Sequence, residues 1–420
     1  MARIDVIDAS LDGREPMHRS LLLTGELPEF ALRPRFALAA KGFRPFFILA
    51  AVFASAFVPL WLLIVAGVVR PTDYLDATSW HAHEMVLGYG VAVIAGFLLT
   101  AVGNWTQRET LVGAPLLGLS ALWLLGRVAM ILPGFLPRGL PALVDLAFLP
   151  ALIVVLARPL VATKNRRNLV LLVILAALFA ANVVVHLGAL GVMPPGSARR
   201  ACLVAIDVVL LVILIIAGRV FPMFTRSATG STAIRSSRPL DLLTIAAMTV
   251  LTALDAVAPE RAATSVIAGA AGLLAIARAA HWGTGRTARH PLLWVLHAGY
   301  AWLAAGLLLR ALAGFHATAR GSLATHALTV GAIGSLTLGM MARVALGHTG
   351  RPLVASKPMA WAFGSITAAA FARAIVPVFA PGWYFATLVA AAALWTAAFL
   401  VYLAVYLPVL STPRADGKPG

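Results

Sequence analysis

From Lys41 onward the chain alternates long apolar stretches with short breaks marked by proline, glycine or charge. Nearly every stretch reaches the roughly 20 residues that an α-helix needs to cross a hydrocarbon layer. A helix also closes its backbone hydrogen bonds internally, as lipid demands. The pattern predicts twelve spans, at about 43–69, 81–102, 112–131, 139–157, 169–190, 200–221, 239–257, 262–281, 291–313, 320–345, 358–380 and 384–409. The expected fold is an all-α polytopic membrane protein. It has a leader over 1–40, one transmembrane domain over 41–410 and a tail over 411–420, with the longest loop at about 219–238.

Composition agrees with lipid as the main solvent. Hydrophobic residues make up 61% and charged residues 12%, against about 25% charged in an ordinary soluble domain. A net charge of +17 would suit a nucleic-acid binder, so the placement of the charges decides. When loops are assigned alternately to two sides, 24 Lys and Arg fall on the side of the termini and seven on the other, with Arg127 and Arg373 inside spans. That asymmetry puts both termini of an inner-membrane protein in the cytoplasm and excludes nucleic acid as a partner. The leader lacks the apolar core and cleavage site of a secretory signal. The single cysteine, Cys202, excludes an intrachain disulfide and a cysteine-ligated cluster, so any metal must rely on histidine.

Ionisable groups inside spans are costly and therefore functional candidates. His81, His83, Glu84, Arg127, Asp145, His186, Asp207, Arg310, His326 and Arg373 all fall in the outer half by this topology, and His297 in the inner half. His81 and His83 open the second span. Two residues apart on a helix means about 200° apart, so both cannot serve one metal. His83 reads as a ligand or as a group capping the helix start. His186 lies one turn after Asn182, whose amide could orient it toward a metal or into an interhelical bond. His326 sits in a run of small residues where a flat macrocycle or another helix could come close. His348 reads as loop-stabilising, and His18, His281, His290 and His316 as solvated. Arg127 and Arg373 suit carboxylates, either those of a cofactor or Asp145 and Asp207 in structural bridges.

A faint repeat links the second, sixth and tenth spans. Aligning Thr106, Thr225 and Thr349 brings His83, Cys202 and His326 into register, and suggests three pseudo-symmetric four-helix units.

Four stretches carry a family resemblance. They are Lys41-Gly42-Phe43-Arg44-Pro45-Phe46-Phe47; Trp80 to Met85 with Ala95 to Thr106; Gly218 to Arg226; and His326 with Met341 to Arg351. With these the chain resembles the NnrS proteins from about residue 36 to 410. The resemblance implies a haem- and copper-containing bacterial membrane protein of nitric oxide metabolism, often found alongside denitrification. More loosely, the architecture resembles the catalytic subunit of haem-copper oxidases and nitric oxide reductases, although the tenth span lacks paired histidines and the copper-binding set is missing.

The expectation is a haem b held by His83 and His326 near the periplasmic face, with Arg127 and Arg373 at its propionates. A second metal, copper or another haem, would use some of His81, His186 and His297. Nitric oxide or a related nitrogen oxide is the expected partner, with lipid around the protein and an electron donor the residues do not identify. The rivals are a transporter of a metal or a nitrogen oxide species, and a sensor or assembly factor without turnover.

Overall fold

The computed structural model describes residues 37–70, 73–258, 262–315 and 321–418. The leader up to residue 36, His18 and His316 lie outside the described residues. Among the described residues no strand occurs, and twelve helices are long and apolar enough to span a membrane. We number them α1 (Phe43–Val65), α2 (Ala77–Thr106), α3 (Ala114–Ile131), α4 (Leu140–Ala162), α5 (Arg166–Ala189) and α6 (Ser197–Thr229). There follow α7 (Arg238–Val257), α8 (Ala262–Ala279), α9 (Pro291–Ala313), α10 (Gly321–His348), α11 (Lys357–Phe379) and α12 (Pro381–Ser411).

Sequential neighbours pack together, and α12 returns to pack on α1. Arg44 fixes this closure by donating to the carbonyls of Leu410 at 2.8 Å and Thr412 at 2.7 Å. At the centre α2, α6 and α10 touch one another. Thr106, Thr225 and Thr349 each bond the carbonyl four residues back, at 2.7, 2.8 and 2.6 Å.

Two central helices depart from α geometry at corresponding places. In α2 a π-helical stretch runs Glu84–Gly90, starting one residue after His83. In α10 another runs Ala327–Gly334, starting one residue after His326. A π turn inserts a residue and re-aims the side chains on either side of it. The indole of Trp123 donates to the Gly88 carbonyl inside the first stretch, at 3.1 Å.

The small residues after His326 admit helices. A Cβ on Gly331 would stand 2.6 Å from the Trp302 ring of α9. Gly331→Ala is therefore expected to overpack this contact and cost about 1–3 kcal/mol. A lowered thermal midpoint of the detergent-solubilised protein would register it; an unchanged one would show that Trp302 can move.

One sequence boundary is corrected. The stretch 219–238 is not a long loop, because α6 continues to Thr229 before Gly230 ends it in the left-handed conformation. Its extension is held by Thr225 on His297, by Arg219 on Asn168 at 3.1 Å, and by Arg343 stacked over Phe224.

Candidate cofactor cavity and buried polar cluster

Asp76 caps the start of α2, accepting from the amides of Thr78 and Ser79, both at 3.0 Å. The helix begins there in a fixed orientation, and its two histidines face different sites.

His83 faces α3, α4 and α5. Its Nδ1 meets Glu84 Oε1 at 2.8 Å and its Nε2 meets Asn182 Oδ1 at 2.9 Å. Asn182 is oriented because its amide nitrogen donates to Asp145 Oδ2 at 2.7 Å. Both partners of His83 are thus acceptors, so both ring nitrogens carry hydrogens and the imidazole is cationic. Arg127 donates to Glu84 Oε1 at 2.6 Å and also pairs with Asp145 Oδ1. Two cations, Arg127 and His83, thereby balance two carboxylates, Glu84 and Asp145, all fully buried or nearly so. Gly88 makes the approach possible: a Cβ there would sit 2.9 Å from the Arg127 guanidinium.

His186 extends the cluster toward the connection before α2. Its Nε2 lies 2.9 Å from Asp145 Oδ2, and its Nδ1 lies 2.8 Å from the Tyr74 hydroxyl. Burial pushes the Tyr74 phenol up to about 12, so it stays protonated and donates. Nδ1 of His186 is then the acceptor and Nε2 carries the hydrogen, which leaves this ring neutral. The ligand atoms of His83, Asp145 and His186 lie within 4.8 Å of one another, as a metal-binding set would.

His81 points the other way, into a cavity of about 440 Å³ lined by α1, α2, α6, α9, α10, α11 and α12. That volume is in the range, about 300–1,000 Å³, of pockets that enclose a sizeable ligand. Its ring stacks on Trp61 at 4.4 Å, and Nδ1 is buried with no hydrogen-bond partner. His326 lines the same cavity. Its Nδ1 donates to the Ser322 carbonyl at 2.6 Å, which fixes the tautomer and leaves Nε2 as a lone-pair donor, the usual arrangement of a ligating histidine.

Three guanidiniums share the cavity wall: Arg199, Arg310 and Arg373. Arg310 bridges Asp207 and Asp255. Arg373 bonds only neutral oxygens, Ser322 Oγ at 3.1 Å and Tyr384 OH at 3.0 Å, and its Nε and one terminal nitrogen are buried without partners. Among the described residues no carboxylate pairs with Arg199 or Arg373. The cavity therefore presents two imidazoles and two unneutralised guanidiniums, a donor set that fits a metallated macrocycle bearing two carboxylates.

The residues expected together are partly regrouped. His81 and His326 share the cavity, whereas His83 is on the other side of α2 with both nitrogens engaged. Arg127 belongs to the His83 cluster, while Arg373 is at the cavity. His297 meets neither; its nitrogens meet the hydroxyls of Thr225 at 3.1 Å and Thr284 at 2.9 Å, which ties the α6 extension to α9. Asp207 pairs with Arg310 rather than with Arg127 or Arg373. Arg199 and Asp255 were not singled out in the sequence. Asp255 carried a usable signal, an acid inside an apolar span, whereas Arg199 resembled an ordinary loop charge.

A family model described as NnrS protein matches residues 37–414. Comparison with curated proteins gives no match.

Proposed function

The chain belongs to the NnrS family, and from that premise we propose that it is a haem-binding protein of nitric oxide response or metabolism in the bacterial inner membrane. Membership of the family fits the nitric oxide role, and the twelve spans fit the membrane. The observation that carries the cofactor assignment is the cavity itself, with His81 and His326 on its wall and, among the described residues, no carboxylate paired with its Arg199 or Arg373.

His81 and His326 would hold the iron of haem b, and Arg199 and Arg373 its propionates. Trp61 fixes the His81 ring by stacking, and the Ser322 carbonyl fixes His326. A bound haem would supply a one-electron centre and a binding site for a small gas. Met85, Leu203 and Val330 give part of the cavity wall an apolar surface. Lipid concentrates an apolar gas next to it, so no aqueous channel is needed.

Copper, which the family resemblance also implies, would find its donors in His83, Asp145 and His186 rather than in His81, His186 and His297. Imidazole and carboxylate suit a divalent metal of this kind. Coordination needs deprotonated donor atoms, so the metal competes with protons for the set and affinity rises with pH. Copper retention measured across a pH series in wild type and His186→Ala tests this; retention that is insensitive to both removes the site.

The test of the haem reading is a reduced-minus-oxidised spectrum of detergent-purified protein with iron and copper analysis, repeated after adding nitric oxide. A haem b spectrum that nitric oxide shifts supports it, and product formation under reductant separates turnover from sensing. Colourless, iron-free protein favours the transporter reading instead.

A further inference from the structure

The His83 cluster has an outer side with a smaller cavity against it. At the end of the bundle where α2 and α6 begin, about 140 Å³ of space lies between the connection before α2, the end of α5 and the start of α6. Its rim is exposed, at Asp76, Pro195, Gly196 and Arg199, whereas Tyr74 and Ser79 in its wall are buried. One water needs only about 10–15 Å³ of such space, so an ion can enter with several of its waters.

Tyr74 belongs to both the cavity and the cluster. It lines the cavity, and its hydroxyl lies 2.8 Å from Nδ1 of His186, whose Nε2 faces Asp145 Oδ2 at 2.9 Å. His83 Nε2 stands 3.3 Å from the same Asp145 oxygen. One side chain thus connects an open pocket to three buried donors. The other boundary is stiffer: a Cβ on Gly188 would stand 3.0 Å from the Ala198 amide nitrogen, so the backbones of α5 and α6 are already in close contact there. A ring can turn about its own bonds, whereas packed backbone cannot part without moving helices. The pocket chemistry suits a hydrated cation. Asp76 places a carboxylate on the rim, and among the described residues no hydrogen-bond partner reaches the buried Ser79 Oγ. Oxygen donors of this kind suit a hydrated ion. Arg199 opposes it, but from an exposed position where salt screens its charge.

We propose that this outer cavity is the entry port for the metal of the His83, Asp145 and His186 set, and that Tyr74 is its door. The inference rests on the copper reading. The ring turns aside to admit an ion, and the hydroxyl then returns to His186. The same hydroxyl has a second task once the set is filled. With Nε2 of His186 given to a metal, the neutral imidazole carries its hydrogen on Nδ1 and donates it to the Tyr74 oxygen, which fixes the ring. Removing the hydroxyl therefore both unlatches the door and frees the ligand. Loading becomes faster while retention becomes weaker, a pair of changes that a tyrosine serving only to fill space would not produce.

Loading rates of the purified full-length chain in detergent, where both ends of the bundle meet solvent, test it. Copper(II) is mixed in, samples are frozen after set times, and electron paramagnetic resonance counts the bound ion, with the signal that remains in His186→Ala subtracted. Pro195→Cys puts a thiol on the exposed rim, and Cys202 is buried, so a maleimide marks the rim alone. A label that leaves the port open a tenth of the time should slow loading about tenfold against the unlabelled variant, with the same final content. Tyr74→Phe should load faster than wild type and hold its copper about 10–100-fold more weakly against a chelator. Labelled protein that reaches full His186-dependent content at the unlabelled rate overturns the port alone. Tyr74→Phe that loads no faster than wild type overturns the door. Wild type without His186-dependent copper overturns the copper reading, and the port with it.

Discussion

His326→Ala and His81→Ala are each expected to strip the purified protein of haem, while His83→Ala keeps it per folded molecule. Loss of a partner in the outer shell of a metal site already lowers affinity about 10–100-fold. Loss of a ligand must cost at least that, and detergent washing then empties the site. The contrast with His83 is the informative part. His83 is occupied by Glu84 and Asn182 and sits outside the cavity, so its removal damages the polar cluster without touching the iron. Haem retained in both cavity variants, or lost selectively in His83→Ala, would return the ligand to the opposite side of α2. Arg373→Ala and Arg199→Ala should weaken haem retention by smaller factors, since each removes one propionate contact and leaves both imidazoles.

The span pattern was legible because length and apolarity alone decide it. All twelve spanning helices were found, and the errors lie at the ends. The C-terminal extension of α6 was missed because its polar residues look like loop, and two of them, Arg219 and Thr225, are held by distant partners, Asn168 and His297.

The separation of His81 from His83 was also legible, since helical geometry forbids a shared site. Which of them faces the cavity was not. That depends on where Asp76 starts the helix, on the π stretch after His83, and on Asn182 and Asp145 arriving from α5 and α4. Pairings across such sequence distances leave no local trace. The same holds for Arg310, whose acids lie on two other helices. A three-unit organisation is a proposal in keeping with the central contact of α2, α6 and α10 and with the matched π stretches of α2 and α10.

Arg127→Met is expected to be the most destabilising single change in the membrane domain outside the cavity. It removes the cation shared by Glu84 and Asp145 and leaves two buried carboxylates with only the cationic His83 between them. Breaking one partner out of a buried ion pair costs about 3–5 kcal/mol, because the remaining charge has no water to turn to. Methionine keeps most of the side-chain volume, so the loss reports charge rather than a void. Adding Asp145→Asn to the Arg127→Met background should recover part of that loss. The surviving Glu84 is then balanced by His83 alone, and the amide can still accept from His186. Asp145→Asn alone should be destabilising, since it strands Arg127 with an excess of positive charge. Thermal midpoints of the three variants in one detergent give the comparison. If the double variant is no more stable than Arg127→Met, the cluster is not held by charge balance, and the cationic assignment of His83 fails with it.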